Sequence, residues 1–136
     1  MVLNALLNHY DHLTVQEVIR FSVQVRLPHP HPVSDVDLCS MVGNILENAV
    51  SACQKADEKR IHLTILTEDA AQLYIVAVNT FNGVVKLSGE RYLSTDRKGS
   101  GIGISSVVST AESYGGVALF SHQGTEFYRN VVIPIV

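Results

Sequence analysis

Asn44 and Asn48 stand four positions apart in the segment Asn44-Ile45-Leu46-Glu47-Asn48. On a helix this spacing brings two side chains to one face. A neutral carboxamide oxygen can ligate Mg2+, a hard cation that keeps several waters and shares its shell with substrate phosphates. Asn is a poor helix former, so a mid-helix pair asks for a reason, and a place at the polar boundary of the helix would also supply one. Farther along, Gly99-Ser100-Gly101-Ile102-Gly103 leads into a second helical pattern. Glycines let a backbone approach a ligand closely, and the unpaired N–H groups of a first helical turn attract anions. Arg97 and Lys98 add positive charge just upstream. A flexible turn would use the same glycines. The two common phosphate motifs are absent: there is no GxxxxGK[ST], and the cluster does not follow the first strand as a dinucleotide fingerprint requires.

These groups need elements to hold them. Residues 1–12 read as a helix with Leu3, Leu6 and Leu7 on one face. From Ile19 onward Phe21, Val23, Val25 and Leu27 alternate with polar residues, the pattern of a half-buried strand. The Pro-His-Pro-His-Pro run at 28–32 suits neither a helix nor a central strand. Ser34 followed by Asp37 resembles a capping box and predicts a helix over about 35–55. At about 100° per residue, Leu38, Met41, Val42, Ile45, Leu46, Ala49, Ala52 and Cys53 form one apolar arc. Asn44 and Asn48 then line its edge, while Glu47 turns to solvent. Residues 61–66 and 73–79 read as a strand pair. Residues 80–101 carry no sustained periodicity, which marks a functional lid or a disordered segment. A helix over 102–114 stops at Gly115-Gly116, and 117–121 and 126–135 read as two further strands. This order predicts an α/β (α+β) two-layer sandwich, its mixed, mostly antiparallel sheet carrying helices on one face.

The chain has 136 residues, a length that suits one domain with a sizeable core. Apolar residues make up 46% and charged residues only 17%, against about 25% charged in an average domain. That balance excludes a disordered tail. The apolar run at 73–78 is far short of the roughly 20 residues a membrane span needs, and residues 1–12 lack the basic region and cleavage site of a signal peptide. With a net charge of −3 and its basic residues scattered, the sequence offers no footprint for nucleic acid. Cys39 and Cys53, placed on one helix, would lie roughly 21 Å apart, too far for a disulfide. Buried thiols of a reducing cytoplasm are expected.

Together the motifs resemble the ATP-binding domain of the GHKL superfamily, which includes gyrase, heat-shock chaperones, histidine kinases and mismatch-repair ATPases. NILENAVSA at 44–52 looks like the N box of a sensor histidine kinase, GSGIGISSV at 99–107 like its second glycine box, and GTEF at 124–127 like its late Gly-Thr-x-Phe strand. The likeness is closest to kinases of the peptide quorum-sensing receptor type. It covers about 15–136 and leaves 1–14 as the end of an upstream helix or linker. The resemblance implies the Bergerat fold, with ATP and Mg2+ as ligands. Asn48 would hold Mg2+ against the ATP phosphates, with Asn44 beside them, both as catalytic residues. Gly99, Gly101, Ile102 and Gly103 would surround the phosphates, next to Lys98. Thr125 would join the hydrogen-bond network around adenine, and 84–98 would be the ATP lid.

Two positions depart from the superfamily's usual pattern or divide its members. The first glycine box is Asp-x-Gly-x-Gly, whose Asp accepts the adenine amino proton; here the stretch is Asn79-Thr80-Phe81-Asn82-Gly83. Gly83 matches the second glycine, Phe81 replaces the first and Asn79 replaces the Asp. A carboxamide oxygen still accepts that N–H, without charge assistance, so weaker adenine binding is expected. Hydrolytic members place a Glu four residues before the Mg2+ Asn. Here that position is Asn44, which cannot act as a general base, so the resemblance implies transfer to another nucleophile.

A histidine kinase phosphorylates a His on a dimerising helical hairpin upstream of its ATP domain. Of His9, His12, His29, His31, His62 and His122, only His9 and His12 are early enough. The stretch from there to Ser34 holds a strand and the Pro-His run, with no room for a hairpin. The expectation is therefore a catalytic domain that transfers the γ-phosphate to a histidine outside this chain, in two-component signalling. Its partners would be ATP, its own dimerisation and phosphoacceptor domain and a response regulator. The full-length protein would be a homodimer anchored in a bacterial membrane, with this domain in the cytoplasm. The leucines at 3–7 are expected to end a helix whose packing partners lie elsewhere. Two alternatives stay open: a degenerate nucleotide-binding scaffold or interaction module, and a serine kinase or ATPase of the same superfamily.

Overall fold

The elements run α1 (Val2–Gln16), β1 (Arg20–Arg26), α2 (Asp35–Cys53), β2 (Arg60–Glu68), β3 (Gln72–Thr80), β4 (Lys86–Ser88), β5 (Arg91–Leu93), α3 (Ile102–Ser113), β6 (Val117–Gln123) and β7 (Glu126–Pro134). The structure, a computed structural model, describes residues 2–28, 31–68, 71–88, 91–93 and 102–135. Five strands form one sheet in the order β1-β2-β3-β7-β6. β1 lies parallel to β2, and every other neighbouring pair is antiparallel. β4 and β5 form a separate short hairpin inside the stretch that showed no periodicity.

Alternation decides which sheet face is covered. Ile61, Leu63 and Ile65 of β2, Leu73, Ile75 and Ala77 of β3, and Val131 and Ile133 of β7 are buried, while their neighbours on the other face are half-exposed or exposed. The helices cover that one face, as in the two-layer sandwich expected from the sequence. α2 supplies most of the core beneath it: Leu38, Met41, Val42, Ile45, Leu46, Ala49, Val50 and Cys53 are all buried. Val50 was outside the expected arc, and Ala52, inside it, is only half-buried. The reason is α1, which packs along the flank of α2 and widens its buried stripe. Tyr10 donates to the Gly43 carbonyl at 3.4 Å across this contact.

Leu3, Leu7 and Tyr10 are buried in the same core. The leucines expected to seek partners elsewhere thus find them within this chain. Cys39 and Cys53 are both free thiols, as their placement on one helix requires.

The start of α2 is only partly a capping box. Ser34 Oγ accepts from the Asp37 N–H at 3.1 Å, as a helix N-cap should. The Asp37 carboxylate turns instead to the Tyr114 hydroxyl. That bond ties the beginning of α2 to the end of α3. Beyond Tyr114 the chain turns on two glycines with different duties. Gly115 takes the left-handed conformation, φ +77°, while a Cβ on Gly116 would stand 2.3 Å from the Val132 carbonyl oxygen.

Candidate functional site

Asn44 and Asn48 lie half-buried along the edge of the apolar stripe of α2, and Glu47 between them is exposed. Neither carboxamide is hydrogen-bonded to a described residue. Two neutral oxygen-bearing groups are therefore held on a rigid helix with their valences unspent. Among the described residues there is no cluster of three or more His, Cys, Asp or Glu able to hold a metal. A single carboxamide ligand suits Mg2+, which completes its shell with water and phosphate oxygens. The donor set fits that ion.

The end of β3 carries the next candidate residue. Asn79 is wholly buried. Its Oδ1 accepts from Arg129 Nε at 3.1 Å and its Nδ2 donates to the Thr80 carbonyl at 3.1 Å. Arg129 is only 5% exposed, and its guanidinium carbon sits 4.4 Å over the Phe127 ring. Burial pushes its pKa down to about 10, so it remains a cation at neutral pH. Among the described residues no carboxylate neutralises it. Arg129 belongs to none of the motifs read from the sequence. Its signal was the alternation Phe127, Arg129, Val131, Ile133, which places it on the covered face of β7.

Phe81 and Gly83 follow directly. Phe81 is buried, edge-on to both Phe127 and His122. Its N–H donates to the Thr125 carbonyl at 2.8 Å. Gly83 has φ +84°, and a Cβ there would stand 3.7 Å from the Gly124 carbonyl and 3.9 Å from Thr125 Cγ2. The altered glycine box and the Gly124-Thr125 turn are thus stitched together, uniting Asn79, Gly83 and Thr125 at one end of the sheet. Ile102 and Gly103 open α3, which packs against α2. Lys98, Gly99 and Gly101 lie outside the described residues, as does most of the expected lid beyond the β4–β5 hairpin.

A cavity of about 470 Å³ near the start of β1 and β2 is lined by Arg20, Ser22, Arg60, His62, Thr80 and Glu126 among others. None of the candidate residues contributes to it. No helix among the described residues is long and apolar enough to cross a membrane.

Comparison with known proteins gives a consistent assignment. A family profile described as the GHKL domain matches residues 33–134. No curated protein matches. Among solved structures, the mycobacterial sensor histidine kinase MprB is similar with a TM-score of 0.73 at 19% identity, over 98% of this chain and 95% of that one. The catalytic domain of histidine kinase ThkA gives 0.74 at 15% identity, over 98% and 94%. Full-length ShkA in complex with AMPPNP gives 0.73 at 18% identity, over 98% of this chain and 30% of that chain.

Proposed function

Since the chain belongs to the GHKL domain family, we propose that it is the ATP-binding catalytic domain of a sensor histidine kinase, of the peptide quorum-sensing receptor type. The observation that carries this reading is the half-buried, unengaged pair Asn44 and Asn48 on α2. With a carboxamide at 44, the helix lacks the general base that a hydrolytic member needs at that position. Asn48 would hold Mg2+, which when bound neutralises charge on the transferring phosphates. Asn44 would fix the phosphate chain beside it. The backbone N–H groups at Ile102 and Gly103 would face the phosphates, with Lys98, Gly99 and Gly101 completing the cradle. Asn79, Gly83 and Thr125 would hold the base. Phosphoryl transfer is largely positioning plus charge stabilisation, so these few groups suffice.

The phosphate acceptor would be a histidine on the protein's own dimerisation domain, and a response regulator would take the phosphate onward. Residues 1–14 would then connect this domain to that hairpin, 84–98 would close over ATP, and the full-length homodimer would be membrane-anchored with this domain in the cytoplasm. The test is phosphate transfer from labelled Mg-ATP to a separately supplied His-bearing hairpin. Transfer by the wild type and its loss in Asn48→Ala supports the reading. Retained transfer in that variant removes Asn48 from the mechanism.

Phe81 in place of a box glycine favours one second reading, a scaffold that has lost nucleotide binding. A thermal melt separates the two: absence of any shift at millimolar Mg-ATP would establish the scaffold.

A further inference from the structure

We propose that Arg129 is a positioning residue that locks the Asn79 carboxamide in one orientation and thereby makes the base end of the site selective for adenine. The inference rests on the nucleotide reading given above. It starts from an asymmetry between Asn and Asp. A carboxylate accepts hydrogen bonds on both sides, whereas a carboxamide is an acceptor on one side and a donor on the other. Turning it over exchanges the two, so an Asn that reads a ligand must be told which way to face.

Two one-way partners give that instruction. Arg129 carries only donors, and its Nε meets Asn79 Oδ1. The Thr80 carbonyl only accepts, and it takes a proton from Asn79 Nδ2. A flipped amide would set donor against donor and acceptor against acceptor between two buried residues, where a mismatched polar pair is costly. Arg129 is itself held, packed on the Phe127 ring. A buried cation without a carboxylate carries a desolvation penalty that an apolar side chain of similar length would avoid. The orientation of Asn79 is what that penalty secures.

With those bonds made, Asn79 keeps one acceptor position on Oδ1 and one N–H on Nδ2. An acceptor beside a donor is the complement of adenine, whose amino group donates next to a ring nitrogen that accepts. Hypoxanthine and guanine carry an oxygen where adenine carries its amino group, and would set a lone pair against Oδ1.

The experiment is calorimetric titration of this chain with Mg-ATP and Mg-ITP, in wild type, Arg129→Met, Arg129→Gln and the double variant Asn79→Asp/Arg129→Met. Wild type is expected to favour ATP by about tenfold, the worth of one correctly matched hydrogen bond. Arg129→Met should melt no lower than wild type while the preference falls to about threefold or less. Arg129→Gln, whose amide both donates and accepts, should show the same fall even if the apolar variant does not fold. The double variant should regain the preference, because a carboxylate needs no orienting. A wild-type preference kept in both single variants, or equal weakening of both nucleotides, overturns the proposal. Wild type binding neither nucleotide overturns the nucleotide reading itself, and the proposal with it.

Discussion

Phe81 stands edge-on to Phe127, ring centroids 5.7 Å apart and planes at 85°, and its backbone N–H reaches the carbonyl of Thr125 two residues before that partner. The residue that breaks the glycine box is therefore an anchor for the turn at 124–125. Phe81→Gly would restore the first glycine of the box, though not its Asp. It removes a buried aromatic, for which truncation costs about 4 kcal/mol. The expected outcome is a melting temperature lower by about 14 °C. A thermal melt showing an unchanged midpoint would deny Phe81 this anchoring role.

Asn48→Ala separates function from folding. The side chain is half-buried and bonded to no described residue, and Ala is the better helix former by about 0.5 kcal/mol. The variant should be at least as stable as wild type in urea. Its stabilisation by saturating Mg-ATP should vanish, where wild type at 100 times its Kd gains about 2.7 kcal/mol.

Two helices end in the same way with different residues. After α3, Gly115 and Gly116 donate back to Glu112 and Ala111, and Gly115 has φ +77°. After α1, Val18 and Ile19 donate back to Val15 and Thr14, and Val18 has φ +57°. A β-branched residue is strained there, by about 1–2 kcal/mol, and Val18 is 81% exposed, so little packing offsets it. Val18→Gly should stabilise by about 0.5–1 kcal/mol once the flexibility of the unfolded chain is subtracted. Gly115→Ala should destabilise by about 1–2 kcal/mol. Urea midpoints moving in opposite directions are the check.

Arg129 also has a pH signature. Its folded pKa, about 10, lies below that of a fully solvated arginine, so the unfolded chain holds the proton more tightly in the window between the two. The burial penalty is therefore constant below pH 10 and is relieved only as pH rises through that window. The stability difference between wild type and Arg129→Met should be flat from pH 6 to about 9. A slope in that range, measured by urea unfolding at several pH values, would mean that another group titrates with it.

Much of this was legible in the sequence because apolar periodicity and motif order are local. The α2 arc holds seven of its buried residues and sets Asn44 and Asn48 on its rim, where they lie half-buried. Val50 was missed because its burial depends on α1, a contact that no periodicity within α2 encodes. Asp37 shows the same limit. Its spacing from Ser34 spelled a capping box, yet its carboxylate is claimed by Tyr114 from another helix. Alternation put Arg129 on the covered face but could not show that a cation would be kept there. That becomes intelligible only through Asn79, which pairing of β3 with β7 brings beside it.

The open sheet has a colloidal consequence. Its two edges are β1 and β6, and an exposed edge is a template for pairing with another chain. β1 is bracketed by Arg20 and Arg26, charges that discourage such pairing. β6, Val-Ala-Leu-Phe-Ser-His-Gln, carries no Asp, Glu, Lys or Arg, and Val117 and Leu119 are 49% and 56% exposed on it. With a net charge of only −3, repulsion between molecules is weak. Leu119→Lys should raise the concentration at which light scattering first detects self-association, with melting unchanged. Crowding would thus act on this protein first through its uncharged edge strand.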